Sequence, residues 1–542
     1  MLNFSNVSII YVSQKCGRET FSGFSPVADR FGGGPLDSVE HAIEKICQFR
    51  ASGNFRPITV RFCDEEYYIE KPIELIPSAL HNRFFGNDCL TGITFDSVNR
   101  TKIIGGRKLS GFKKDIFNGH DCFSVHIPDV EEGKWFFTDL YVDGGRAKFT
   151  RFPKEGTLTC VDTEFNKGEI ATHSKWFIAH KQDLEGIKDV ESAIVSYYHY
   201  WIDEHSPVES YDRETGKLTM AYKSRFLITN LYEEEHCPAN LHYYLENIAE
   251  VFENPGEWYL ERKSGMLYYI PENDSQTPEN IQVYAPVVDR IVDVCGSSEH
   301  PVSDIRFRGL DFICSKGDYA SRVHTDKTAA SDDVFGSDSQ SVAGAYGAVN
   351  FRYARNCIIS DCSLKNLGVQ AVSVEEGCSD IRVEGCTVYD VGAGGVRIFG
   401  GAYGCEKHDE THHITVKDCN ISYCGRRYAA GCGILANHVY SCEFSDNEIG
   451  YLDYSGISVG WVWGYADNIA CANRITNNHI HHIGMGNLSD MGGIYLLGKQ
   501  RGTVVSGNRI HDVICRHYGG WGIYTVEGAS YMTIENTVVY RT

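Results

Sequence analysis

The chain has 542 residues with 54 glycines, 14 prolines and 20 cysteines, and a formal net charge of −21. Such an acidic chain without a basic stripe argues against a nucleic-acid partner and mildly against a polyanionic substrate. No apolar run reaches the length of a membrane helix, so no membrane partner is expected, and the opening MLNFSNVSIIYVS has neither the basic nor the long apolar region of a signal peptide. No two cysteines stand at C-x-x-C spacing, which argues against zinc. Without a leader to an oxidising compartment they read as reduced, buried thiols of a cytoplasmic protein.

In chain order, residues 9–13 (IIYVS) predict an entry strand, and 21–35 a Gly- and Ser-rich loop. A helix follows, with Asp37 or Ser38 as N-cap, Val39, Ala42, Ile43, Ile46 and Cys47 on one face, and Arg50 near its end. Residues 57–62 and 66–69 predict strands, and strand-like sequence continues with turns at Gly105-Gly106 and Gly144-Gly145. Residues 1–156 therefore read as a capping helix plus the first coils of a repeat. From 157 to 286 the repeat disappears and Trp, Tyr and charge become dense, as in YYHYWIDEH. A hairpin is predicted over 258–270, closed by Lys263-Ser264-Gly265. This stretch reads as an inserted β-rich subdomain. Residues 287–542 read as the main repeat, with the site on it. The Asp/Ser/Ala/Gly loop over 315–347 is too long for an ordinary connection, which marks it as functional or mobile.

The repeat is clearest between residues 446 and 535. DNEIGYLDYSGISVGW, NNHIHHIGMGNLSDMGGIYLLG and GNRIHDVICRHYGGWGIYTVEG align on an Asn column of Asn447, Asn478, Asn508 and Asn536. They share a Gly-Ile column at Gly456-Ile457, Gly493-Ile494 and Gly522-Ile523. Upstream the first column continues as Cys362, Cys386 and Cys419. A period of about 30 residues without helical periodicity predicts an all-β, right-handed parallel β-helix, a solenoid of short strands. Coils would stack at about 4.8 Å, so equivalent side chains form ladders, and a small polar or soft residue suits an inward bend. The ladder is expected to be structural. Since the sequence ends within a coil, a second copy or a further C-terminal segment is expected to cover that open end.

Chemistry is sought where acids fall in register. Asp453 and Asp490 each lie three residues before a Gly-Ile pair and are expected at one corner of neighbouring coils. Carboxylates so close would push one pKa up, which separates an acid from a nucleophile or base. Glycoside hydrolysis uses such pairs, about 5–5.5 Å apart for retention and about 6.5–9.5 Å for inversion. The alternative is that these turn aspartates only bond their own backbone. In the next coil Gly519 takes that place, and a carboxylate appears later, at Glu527. With Ile523 inward, strand alternation sends Tyr524 and Val526 outward, and Gly528 marks a bend that frees Glu527 from this parity. Aromatic residues gather on the same coils. Trp461, Trp463, Tyr495, His517, Trp521 and Tyr524 are expected to line a sugar site, where rings stack on apolar C–H faces, and His438 is counted with them. Some of these rings would otherwise simply cover the core. His479, His481 and His482 alternate in direction and His408, His412 and His413 lack clean ligand spacing, so no metal and no cofactor is expected.

YSGISVGWVWG, LSDMGGIYLLG, GNRIHDV and GGWGIYTVEGASYMTIENTVVY, with GGRAKFTRFPKEG and YYLENIAEVFENPGEWYLERKSGMLYYIP upstream, resemble the β-helix glycoside hydrolases of family 141. The resemblance covers most of the chain. It implies a right-handed parallel β-helix with a β-rich insertion, and hydrolysis of plant or host glycans, fucoside or xylan cleavage included, without a metal. It also implies two catalytic aspartates on neighbouring coils. The first falls on Asp490. The second falls on position 526, which here is Val526, so activity is lost or its role passes to Glu527 or Asp453. A glycan-binding protein without catalysis is a second reading. A polysaccharide lyase is a third, which would need a Lys or Arg base; Arg509 and Arg516 are the nearest and read better as turn or surface residues.

Overall fold

Short apolar runs broken by turn residues can satisfy their backbone only by pairing with copies of themselves above and below. The computed structural model describes residues 8–77, 90–164, 173–226, 228, 241–321 and 332–542, and it shows that stack as three long parallel sheets. Sheet A runs from Ile9–Val12 to Thr533–Glu535, sheet B from Glu66–Tyr68 to Val538–Tyr540, and sheet C from Ile73–Leu75 to Gly520–Ser530. One coil passes through all three in order, as in Glu443–Ser445, Glu448–Leu452 and Ile457–Val459. The fold is a right-handed parallel β-helix, the hand that parallel crossovers take. Inward side chains line up by register: Phe444, Ile475 and Val505 in sheet A, Ile449, Ile480 and Ile510 in sheet B, Ile457, Ile494 and Ile523 in sheet C. Burying each stabilises the stack by about 1.5–3 kcal/mol.

The bend between sheets A and B explains the Asn and Cys column. Asn447 Nδ2 donates to Val416 O at 3.0 Å, Asn478 Nδ2 to Phe444 O at 2.9 Å and Asn508 Nδ2 to Ile475 O at 2.8 Å, each a carbonyl of the preceding coil. Cys386 and Cys419 use their thiols on the equivalent carbonyls, Ile359 O at 3.6 Å and Val383 O at 3.5 Å. The amides also bond each other, Asn447 Nδ2 to Asn478 Oδ1 and Asn478 Nδ2 to Asn508 Oδ1, both at 3.0 Å. Asn536 does not belong to this column. Ser506 pairs with Glu535 and Arg509 with Val538, which puts Thr537 on the ladder. Asn536 falls instead in the preceding left-handed column, with φ 49° beside 58° for Asp446 and 58° for Asn477. Asn serves both positions, as amide donor in one and as a residue tolerant of positive φ in the other, so the letter alone could not assign it. No disulfide joins the described cysteines.

The helix Val39–Ala51 forms as its pattern requires, with Ser38 Oγ accepting from His41 N at the cap. Its buried face of Val39, Ala42, Ile43, Ile46 and Cys47 joins the solenoid core and packs on Ile9–Val12 and Ile58–Phe62, capping the first coils.

The insertion begins earlier than the loss of repeat suggests. Pairing into the three long sheets stops after Lys102–Ile104, and Gly106–Leu109 already pairs antiparallel with Val283–Pro286. His120–His126 pairs antiparallel with Met266–Tyr269, which forms the expected hairpin with Glu257–Glu261. Strand-forming sequence is the same in both settings, and only the partner differs, so residues before 157 could not be told from coils. The chain returns at Val292–Cys295, paired parallel with Ile73–Leu75. The insertion thus fills the sheet B to sheet C turn of one coil. The long loop fills the same turn of the next, between Asp311–Ile313 and Gly347–Arg352; residues 322–331 of it lie outside the described residues. Both fold over the outer face of sheet C, where Ile202, Tyr319, Val342, Tyr428, Tyr454, Leu488 and Met491 form a separate apolar cluster. Two buried pairs fix the insertion: Arg427 Nη1 on Glu246 at 2.6 Å and Arg146 Nε on Asp390 at 2.9 Å. At the far end the last coil leaves Ile534, Val538 and Val539 exposed.

Candidate active site

The sheet B to sheet C corner of the late coils carries the acids, and their turns differ in length. Glu448–Leu452 reaches Ile457–Val459 through residues 453–456, whereas His479–Ile483 reaches Met491–Lys499 through residues 484–490. The longer turn folds back over the shorter, and Asn487 Nδ2 donates to Asp453 Oδ1 at 2.6 Å. Asp453 is thereby turned to the insertion. Burial raises its pKa to about 6, Asp203 adds to the rise, and Asn487 and Arg426 oppose it.

Asp490 closes the longer turn in the left-handed region, φ 59°, a conformation Asp tolerates. Its N–H donates to Tyr518 O at 2.9 Å, its carbonyl accepts from Tyr454 Oη at 2.9 Å, and its carboxylate Oδ1 accepts from Tyr524 Oη at 2.9 Å. Burial raises its pKa, the charge of Glu527 raises it further, and the Tyr524 hydroxyl opposes both. The acid that Asp490 senses is therefore Glu527 and not Asp453. Glu527 is exposed and left-handed at φ 44°, followed by Gly528, so the strand does turn there. A Cβ on Gly528 would meet Gly464 O at 2.3 Å, so only glycine lets the loop that bears Trp463 pass beside Glu527.

Register places the remaining expected residues. Tyr495 pairs with Tyr524 and Leu497 with Val526, all on the outer face of sheet C. Ring centroids lie 5.0 Å apart for Tyr495 and Tyr524, and 4.0 Å for Trp521 and Tyr524. Trp461 and Trp463 meet at 5.1 Å, and Trp461 stands 6.2 Å from Phe399, against which His438 packs at 5.5 Å. His438 Nδ1 is buried without a hydrogen-bond partner among the described residues, and burial lowers its pKa. His517 packs edge-on to Tyr200 at 6.4 Å. The structure gathers Asp490, Tyr495, Trp521 and Tyr524 directly, and Glu527 lies near enough for its charge to act on Asp490 and Tyr495. The Trp loop touches this group through Gly528, while Asp453 faces elsewhere.

Three contributors were not expected from the sequence. Gln340, from the long loop, donates to Tyr454 Oη at 2.9 Å and to Tyr495 Oη at 3.4 Å. Tyr454 holds the Asp490 backbone. Tyr200 of the insertion accepts at its carbonyl from Ser489 N at 2.6 Å, next to Asp490. The dense aromatic run YYHYWIDEH was the available signal for Tyr200, but nothing local says where it docks. Arg509 donates to Tyr540 Oη at 2.6 Å on sheet B, and Arg516 lies over Tyr198 at 5.7 Å.

In chemical terms this corner offers a carboxyl group that holds its proton more tightly than usual, a second, exposed carboxylate, and aromatic faces around both. Among solved structures the chain is similar to one titled "Glycoside hydrolase", at 20% identity and TM-score 0.76, covering 98% of this chain and 93% of that one. That likeness is one of fold. XylC in complex with xylose aligns at 11% identity over 95% and 69% of the two chains, with TM-score 0.44. The tailspike gp61 of Pseudomonas phage phi297 aligns at 10% identity over 95% and 70%, with TM-score 0.26. Neither of these two scores is high enough to bear on the fold. The family described as "Right handed beta helix region" matches residues 403–542. No curated protein matches.

Proposed function

We propose that this chain is a glycoside hydrolase of the family 141 type, acting on plant or host glycan oligosaccharides with Asp490 as general acid and Glu527 as its carboxylate partner. The observation that carries the reading is the pairing at one corner: Asp490 is half-buried against Tyr524, its pKa is raised, and Glu527 is the charge that adds to the rise. A carboxyl whose pKa is raised is suited to protonate a leaving oxygen, while an exposed carboxylate serves as base or nucleophile. Trp521 and Tyr524, at 4.0 Å, give a sugar ring an apolar face beside the acid. A second reading, a glycan-binding protein without turnover, is favoured by Val526, an apolar side chain opposite Leu497 where the resemblance implies an acid.

The test is a panel of aryl fucosides, xylosides, galactosides and arabinosides with the wild type, Asp490→Asn, Glu527→Gln and Val526→Asp. Turnover by the wild type that falls by roughly 10²–10⁴ in both Asp490→Asn and Glu527→Gln is expected. Turnover by Val526→Asp alone would move the second acid to position 526 and make this chain a disabled enzyme. Saturable sugar binding with no turnover in any variant would leave the binding reading.

A further inference from the structure

On the outer face of sheet B, register sets Glu448, His479 and Arg509 in one column and Gly450, His481 and His511 in the next. Gly450 leaves room for the His481 ring: a Cβ there would meet its Cε1 at 2.5 Å. His481 Nε2 lies 3.5 Å from Glu448 Oε1, and His479 Nδ1 lies 4.0 Å from the same oxygen. One atom from each of the three groups falls within 4.8 Å of the others. Metal bonds of about 2.0–2.1 Å in tetrahedral geometry separate ligand atoms by about 3.3 Å, a contraction the exposed Glu448 side chain can supply.

The other ring nitrogens are already engaged, and the Asp512 carboxylate fixes the tautomers of His511 and His479. His511 Nδ1 lies 2.6 Å from Asp512 Oδ2, and Arg541 donates to that carboxylate through Nε at 2.5 Å and Nη2 at 2.6 Å. An ionised carboxylate only accepts, so His511 donates from Nδ1 and accepts at Nε2. His479 Nε2, 2.9 Å from His511 Nε2, is then the donor, and its Nδ1 keeps a lone pair toward Glu448. His481 Nδ1 lies 2.8 Å from His482 Nδ1, and by donating there it leaves Nε2 free toward Glu448. Strand parity sets His479 and His481 on one face, contrary to the alternation expected from the sequence, and His482 joins them because its φ is 51°.

We propose that Glu448, His479 and His481 form a binding site for a divalent first-row transition-metal ion such as Zn²⁺, with the Asp512–His511 relay orienting His479. The two-histidine, one-carboxylate set suits such ions, and a carboxylate reached through the second ring nitrogen is the usual outer support of a metal-bound imidazole. The ion would cross-link two successive coils, since Glu448 and His479 belong to neighbouring strands. This site lies on the face of sheet B and does not depend on the reading of the Asp490 corner.

The full chain is titrated with Co²⁺ and the visible d–d bands of tetrahedral cobalt are followed, with Zn²⁺ as competitor and the unfolding temperature as a second readout. One equivalent is expected to give the bands, Zn²⁺ to displace them, and Zn²⁺ to raise the unfolding temperature. Glu448→Gln, an exposed change that leaves the coil intact, and His481→Ala should each abolish the bands. His511→Ala should weaken binding by about 10–100-fold. His412 and His413, whose Nδ1 atoms lie 2.7 Å apart elsewhere on the solenoid, serve as the control, and His412→Ala should change nothing. Binding only at millimolar metal, equal loss in His412→Ala, or bands that persist in Glu448→Gln would overturn the proposal.

Discussion

Asp453 and Asp490 occupy the same corner of successive coils yet keep different company, and each difference can be measured. Tyr524 donates to Asp490 and so favours its charged form. Tyr524→Phe removes that donor and should move the Asp490 pKa further up, shifting the alkaline limb of the activity profile to higher pH; an unmoved limb would mean another group sets it. Asp453 behaves as a stability group. Its folded pKa, about 6, exceeds the ordinary value of 3.8, so the folded state binds the proton more tightly than the unfolded state. Its contribution is favourable at low pH and is lost as pH rises through about 6. Asp453→Asn keeps an acceptor for Asn487 and has no such loss. The variant should match the wild type in unfolding temperature near pH 4 and exceed it increasingly from pH 4 to 7. Wild-type and variant curves that stay parallel across this range would show that Asp453 does not bind its proton more tightly in the folded chain.

At the scale of the element, the ladder between sheets A and B turns side-chain chemistry into coil stacking. Asn478 accepts from Asn447 N at 3.1 Å and Nδ2 at 3.0 Å, and donates to Phe444 O. Asn478→Ala therefore strands several buried groups, each costing about 1–3 kcal/mol. Asn478→Cys should cost less, because Cys386 and Cys419 show that a thiol reaches the equivalent carbonyl. Chemical denaturation of the two variants compares them directly; equal loss would show that the carbonyl contact contributes little. Glu527 illustrates the opposite case, in which a strand departs from its pattern. Alternation alone would turn it inward, but φ 44° followed by Gly528 at φ 77° brings it out beside the Trp loop.

For the molecule as a whole, the insertion reaches the candidate corner, where Tyr200 O accepts from Ser489 N at 2.6 Å. Its anchor is the Arg427–Glu246 pair, with side chains 7% and 10% exposed. Removing one partner of a buried pair costs about 3–5 kcal/mol, because the other charge is left uncompensated. Arg427→Ala should lower the unfolding temperature and open the insertion to limited proteolysis before the solenoid is cut. Cleavage within the solenoid first would show that the Arg146–Asp390 pair and the apolar contacts hold the insertion without Arg427.

The sequence by itself determined the coil. The Gly-Ile columns and the Asn and Cys ladder are set by pairing between neighbours one period apart, and the cap helix and the hairpin over 258–270 by their own local pattern and turn, all visible in letters. Asn536 shows the limit even there, since one residue type suits two adjacent backbone roles. Only the tertiary structure decided where the insertion leaves the stack, that Asn487 covers Asp453, that Asp490 answers to Glu527, and that Gln340 and Tyr200 support the corner. The acids and Asn487 lie in turns whose lengths and bends differ from coil to coil; the contacts of the insertion and the long loop join segments with no common period, so no local pattern records them. They follow from where the insertion and the long loop emerge: both leave from the same turn of successive coils, and from there can fold onto only one face of the solenoid.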